Sequence, residues 1–287
     1  MNTLDETNGK AMSHKNIKVK RKYGITFKSL FFKDKSDTFQ ISRFKNNLSI
    51  SIVLAALILL LIYSFSKLNY NLRLQTLYQY RYKFYMGFAV TVLTSMCSLV
   101  LSLVIGIFFA FARNSRFLPL HYFSKFYVEA IRGTPLLVQI YVFFYIVATA
   151  FNLTNRYFLG ILILSIFSGA YVSEIIRGGI ESIGKSQIET ARSLGFSPYQ
   201  KYRFIIIPQV IKRIMPSLAG QFVSLVKDSS LLSIIAVNEF TKNVQEVDSI
   251  NFASIENYMV LAIGYLILTL PISVISKKLE RKYTYES

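Results

Sequence analysis

The 287-residue chain is 53% hydrophobic and only 17% charged, yet 33 lysines and arginines against 15 aspartates and glutamates leave a formal charge of +18. A soluble protein with that balance would point to nucleic acid, but a mean hydropathy of +0.41 excludes an ordinary water-facing surface. The single cysteine, Cys97, excludes an intrachain disulfide framework, and two histidines, His14 and His121, leave little for a metal site, so no metal is expected.

Residues 1–47 carry 11 basic and four acidic residues and read as a largely disordered cytoplasmic tail. As the n-region of a signal peptide this stretch is too long, so the helix after it is expected to stay attached. Uncharged runs follow at 48–66, 84–112, 133–155 and 257–276, with 19, 29, 23 and 20 residues, and about 20 suffice to cross a hydrocarbon core of roughly 30 Å. Two more runs are interrupted: 157–173 ends before Glu174 and Arg177, and 214–237 is broken by Lys227-Asp228. Six spans are expected, each satisfying its own backbone hydrogen bonds, in an all-α polytopic membrane protein.

Positive charge is retained on the cytoplasmic side. With six spans and the N-terminus inside, segments 1–47, 113–125, 177–213 and 277–287 hold 25 of the 33 basic residues, whereas the loops 67–83, 151–156 and 238–256 hold six. Both termini are therefore expected in the cytoplasm, the charge is mainly a topological label, and a nucleic-acid partner is unnecessary. The tail additionally suits anionic lipid.

Several sites stand out along the chain. Glu129 and Arg132 have i,i+3 spacing before Gly133-Thr134-Pro135, a string that breaks a helix and permits close backbone approach; a hinge and an ordinary kink are both open readings. Glu174 is within a turn of Arg177 and reads either as part of a substrate path or as half of an interfacial ion pair. Ser186-Gln187-Ile188-Glu189 has capping-box spacing, Gly195 suits a helix C′ position, and Ser197-Pro198-Tyr199-Gln200 repeats the start signal before a disturbance at Pro208. These residues spell a helix–corner–helix knob, either a docking element or a well-capped linker. Gly179 to Ser186 also satisfies the phosphate-loop pattern G-x-x-x-x-G-K-S, but that mechanism needs a preceding strand, and a membrane helix is expected there.

Lys227 and Asp228 cost about 2.5–3.5 kcal/mol each at a bilayer centre, while eleven Leu, Ile, Val and Phe residues in 214–237 return roughly 3–7 kcal/mol. The segment must face protein or water, either along a substrate path where Ser229 and Ser230 can bond a polar cargo, or as a local ion pair, or as a helix ending early at the external interface. Nothing forms a nucleophile–base pairing, so no catalytic residue is expected.

Glu189-Thr190-Ala191, Gly195 and Ile207-Pro208-Gln209 resemble the E-A-A…G…I-x-L-P loop of permease subunits of ABC importers. Arg132 to Gln139, Ser168-Gly169-Ala170-Tyr171 through Glu174 to Arg177-Gly178-Gly179-Ile180, and Lys227 to Leu231 resemble the branch that takes up polar amino acids. The resemblance covers about residues 84–282 and implies a type I ABC importer transmembrane domain with a five-helix core, to which 1–47 and the helix 48–66 are additions. Thr190 and Ser229 depart from the commoner alanine and threonine. Coupling to an ATPase subunit then falls on Glu189, Thr190, Ala191, Gly195, Ser197, Pro198 and Pro208 within the loop 177–208. Implied partners are two ABC ATPase subunits, an extracytoplasmic amino-acid-binding protein, and a second permease copy or homologue in the inner membrane. ATP and Mg would sit on the ATPase, and no cofactor is expected on this chain. The competing reading is an ion-coupled carrier or channel without an ATPase.

Overall fold

The structure, a computed structural model, describes residues 43–68 and 70–284. The expected tail therefore lies outside the described residues over 1–42, and its expected end at residue 47 is too late, because helix α1 spans Arg43–Leu68. The chain divides into two units, Met1–Asn71 and Leu72–Ser287. In the first, α1 contains the candidate span Asn46–Lys67. Its Ser64 and Ser66 hydroxyls donate to the carbonyls of Leu60 and Tyr63 at 2.8 Å, which satisfies them without an outside partner.

The second unit comprises α2 (Leu74–Gln79), α3 (Arg81–Ala112), α4 (Leu118–Gly133) and α5 (Leu136–Tyr141), the last extended by a π-helical Val142–Ala148. Then come α6 (Arg156–Glu181), α7 (Lys185–Ser193), α8 (Pro198–Gln200) with a π-helical Lys201–Ile206, and α9 (Ile207–Asp228) continued by a 3-10 segment Ser229–Ile235. Helices α10 (Phe240–Asn251) and α11 (Ser254–Thr284) complete it. No strand occurs among the described residues.

Among the described residues five helical stretches are long and apolar enough to cross a membrane, and α4 with α5 and its extension forms a sixth candidate bent by 113°. This corrects the expected single third span over 133–155. Pro135 drives the residue before it out of the helical region; Thr134 is extended at φ −123° and ψ 148°, so one helix stops at Gly133 and another starts at Leu136. Most of the expected cytoplasmic segment 113–125 likewise belongs to α4, and the expected loops 67–83 and 238–256 contain α2 and α10.

Small residues position the bundle. On α3, Gly87, Thr91, Thr94, Ser98, Ser102, Gly106 and Ala110 are buried at intervals of three and four, one helix face. With no hydrophobic driving force between helices in lipid, such a stripe lets backbones approach for van der Waals packing. A Cβ on Gly106 would fall 2.4 Å from Val172 Cγ1 of α6, and one on Gly169 of α6 would fall 2.6 Å from Ile105 Cγ2. A core of Ile131, Leu136, Ile140, Ile163, Leu164, Leu225 and Leu232 joins the bend to α6 and to the end of α9. A second core at the opposite end of α6, with Val172, Ile176, Ile183, Ile206, Val210 and Ile214, supports α7.

Candidate functional site

The knob read from the sequence is present, with one correction. The α7 N-cap is Gly184, and no side chain caps it; Ser186 is already inside the helix, where its carbonyl accepts the Thr190 hydroxyl at 2.8 Å. An N-cap requires non-helical backbone, and the helix begins two residues too early for Ser186 to provide it. At the other end Gly195 has φ +76°, its N–H donating to the Arg192 carbonyl and that of Phe196 to the Ala191 carbonyl, both at 3.0 Å. These are the paired bonds of a Schellman stop. Two residues later Ser197 and Gln200 form a reciprocal capping box, Ser197 N–H to Gln200 Oε1 at 2.8 Å and Gln200 N–H to Ser197 Oγ at 3.3 Å. The corner is thus held by two backbone bonds on one side and a side chain–backbone capping box on the other, leaving Glu189, Thr190, Ser197, Pro198 and Pro208 exposed.

Ala191 is the buried residue of α7, and Gln209 of α9 donates to Gln187 Oε1 at 2.9 Å. Between these helices opens a groove of about 300 Å³ lined by Ser186, Gln187, Thr190, Ala191, Leu194, Ile205 and Gln209. The disturbance expected at Pro208 is the π-helical Lys201–Ile206 before it, which widens the helix where the proline ring would meet the Phe204 carbonyl. Gly179 to Ser186 runs from the end of α6 through a turn into α7. Gly179 is filled by Ile214, whose Cγ2 would lie 2.3 Å from an added Cβ, so its backbone packs on a neighbouring helix and a helix precedes it.

The same end of α6 carries a charge cluster. Arg177 bridges Glu174 and Glu181, its Nε donating to Glu174 Oε2 at 3.0 Å. Glu174 also faces Arg113, just past α3, and Arg132 of α4, each at 3.7 Å. The expected Glu129–Arg132 pair is not formed: Arg132 turns to Glu174 and lies over the Tyr171 ring, while Glu129 faces Lys125 at 4.0 Å. Gly133, Thr134 and Pro135 form the bend and are exposed. The close backbone approach expected at Gly133 is absent, since a Cβ there meets nothing within 4 Å.

Gln139 was not singled out from the sequence. It is buried, and its amide donates to the Ile131 carbonyl, the Thr134 carbonyl and the Thr134 hydroxyl. A lone amide four residues after Pro135 in an apolar run was the available signal. At the end of α9 the break expected at Lys227-Asp228 is only a change of helix type, α-helix giving way to 3-10 helix at Ser229 within one continuous candidate span Pro198–Ile235. Lys227 is exposed, Asp228 and Ser230 are half-buried, and buried Ser229 spends its hydroxyl on the Val226 carbonyl at 2.8 Å. Glu239, also missed, is buried and caps α10, accepting from Thr241 N–H at 2.8 Å and Lys242 N–H at 2.6 Å.

A family model described as binding-protein-dependent transport system inner membrane component matches residues 102–285. The probable glutamine ABC transporter permease protein GlnM of Bacillus subtilis (strain 168) is 37% identical over 201 residues, covering 69% of this chain and 93% of that protein. The glutamine transport system permease protein GlnP of Escherichia coli (strain K12) is 35% identical over 198 residues, 68% of this chain and 90% of that one. In structure, the chain is similar to that of an amino acid ABC transporter crystallised with histidines, with a TM-score of 0.69, 32% identity, and 74% and 100% of the two chains covered. An inward-facing MetNI methionine ABC transporter shares the fold at a TM-score of 0.56 and 15% identity, over 70% and 94% of the chains.

Proposed function

The chain belongs to the family of binding-protein-dependent transport system inner membrane components, and from that premise we propose how it works as the multi-pass inner-membrane permease of an ABC importer of polar amino acids. ATP hydrolysis resides in a separate subunit. Glutamine is the proposed cargo, because both curated relatives described above carry glutamine in their names. The proposed orientation has both termini in the cytoplasm, which puts the α7 corner on the side where ATP is available and the 25 basic residues of the inward segments with it.

The observation that carries the reading is the doubly stopped corner at Gly195 and Ser197. A lever must not bend when pushed, and this one is fixed by a backbone-bonded stop on one side and a capping box on the other while its outer residues stay exposed. We propose that Glu189, Thr190, Ala191, Gly195, Ser197, Pro198 and Pro208 form or shape the surface received by an ATPase subunit. A second permease, identical or homologous, provides the other half of the pathway, and a binding protein delivers the amino acid on the far side. The proposed polar route passes the end of α9 at Lys227, Asp228 and Ser230, with Ser229 shaping the helix end. Nucleotide-driven closure of the ATPase subunits moves the two corners, and the helices rock around the cavity.

The test is uptake of radiolabelled L-glutamine by vesicles containing the complete complex, with ATP inside and ion gradients collapsed by ionophore. Uptake that needs ATP and survives the ionophore is the expected result. Uptake that continues without ATP and stops with the ionophore would establish the ion-coupled carrier instead.

A further inference from the structure

The polar contacts at the end of α6 form a continuous line. Arg213 of α9 donates to the Ser182 hydroxyl at 2.9 Å and to its carbonyl, at the turn into α7. Glu181, adjacent to Ser182, is paired with Arg177, Arg177 with Glu174, and Glu174 with Arg132, the residue before Gly133. Arg113 joins at Glu174 from the end of α3. One carboxylate thus gathers guanidinium groups from three segments, and the line leads from the turn into α7 to the bend. We infer that Glu174 is a positioning residue of the transport cycle, holding the Arg132 end of α4 on α6 so that movement of the corner reaches the Gly133–Pro135 bend; this rests on the permease reading above.

The bend is suited to receive that movement. Pro135 has no N–H and Thr134 is extended, so the backbone ladder is broken there; the Gln139 amide spans the break instead. On the near side, α4 is fastened to α6 by the Tyr127 hydroxyl, which donates to the Ile166 carbonyl at 2.6 Å. Arg132 is the last side chain before the break, and Glu174 is its ion-pair partner on α6. Without the carboxylate, Arg113, Arg132 and Arg177 would be left as like charges around one point, which drives the α4 end away from α6. The cluster is not core, with side chains 22–41% exposed, so water can solvate the arginines and the fold survives the loss. These properties suit a linkage between two rigid bodies better than a stabilising contact.

The experiment compares wild type, Glu174→Gln, Arg132→Gln and the double variant in the complete complex in proteoliposomes, reading ATP hydrolysis and L-glutamine uptake separately. Both single variants should keep the ATPase subunits bound and hydrolysis within about twofold, while glutamine moved per ATP falls about tenfold, inside the 5–150-fold range of site-to-site coupling. The double variant should be no worse than either single, since the pair acts as a unit. An unchanged ratio of uptake to hydrolysis in the singles, or uptake and hydrolysis falling together, overturns the proposal. If Glu174→Gln fails to assemble, the more exposed Arg132→Gln alone decides. A wild-type complex without ATP-driven uptake would instead overturn the permease reading.

Discussion

Gln139 Nε2 lies 2.7 Å from the carbonyl oxygen of Ile131, reaching back across a 113° bend from the helix that follows it to the one that precedes it. The same nitrogen is 2.9 Å from the Thr134 hydroxyl and 3.1 Å from the Thr134 carbonyl. The Ile131 carbonyl, freed near the end of α4, is therefore met by a buried side chain, where an unmet acceptor costs about 1–3 kcal/mol. Gln139→Leu keeps the volume and removes the donor. The purified protein should lose about 1–3 kcal/mol, read as a lower thermal midpoint; a midpoint equal to wild type would show that the bend is held by Pro135 and packing alone.

Gly195 separates backbone geometry from contact. Its φ of +76° lies in the left-handed region, and a Cβ there would meet nothing within 4 Å, so substitution costs conformational energy alone. A β-branched side chain suffers most and asparagine least in that region. Gly195→Val should remove the ATPase subunits from the purified complex and abolish uptake, whereas Gly195→Asn should retain both. Equal co-purification of the ATPase with the two variants would show that the left-handed turn is not what the partner requires.

How much of this was legible follows from which forces are local. The Gly195 stop and the Ser197 capping box are made within a few residues of chain, and both appear as the spacing indicates. The Ser186 cap failed although its spacing was equally good, because the turn from α6 sets the start of α7 at Lys185, a tertiary constraint that no local pattern contains. Gly133-Thr134-Pro135 was legible as a break, but its angle and its Gln139 staple depend on packing against α6. The partners of Arg132 illustrate the same limit: Glu129 has the right spacing along the helix, while the carboxylate it meets is 42 positions away in sequence.

Glu239 should impose a pH dependence on stability. It lies outside the candidate spans, and burial pushes its carboxyl from 4.5 up to about 7, against the backbone N–H groups of Thr241 and Lys242 that favour the charged form. Between those values the folded state binds more proton than the unfolded state, so this contribution is fully present below about pH 4.5 and is lost as pH rises through about 7. The slope is about 1.4 kcal/mol per pH unit at most. Thermal midpoints of the purified protein from pH 4.5 to 8 should fall more steeply for wild type than for Glu239→Gln. Parallel curves would assign the pH dependence to other groups.

Three glycines separate close packing from backbone freedom. A Cβ on Gly106 would sit 2.4 Å from Val172 Cγ1, and one on Gly179 would sit 2.3 Å from Ile214 Cγ2, whereas one on Gly133 would meet nothing within 4 Å. Alanine at 106 or 179 forces apart helices that have no slack, at about 1–3 kcal/mol, and should lower the thermal midpoint. Gly133→Leu behaves oppositely, since Gly133 is the last residue of α4 and leucine is favoured over glycine in a helix by up to about 1 kcal/mol. Its midpoint should match or exceed wild type. If the bend changes angle during transport, the stiffer helix end should nonetheless reduce ATP-driven glutamine uptake. Full uptake by Gly133→Leu would make the bend a fixed kink and confine the moving parts to the helices on either side of it.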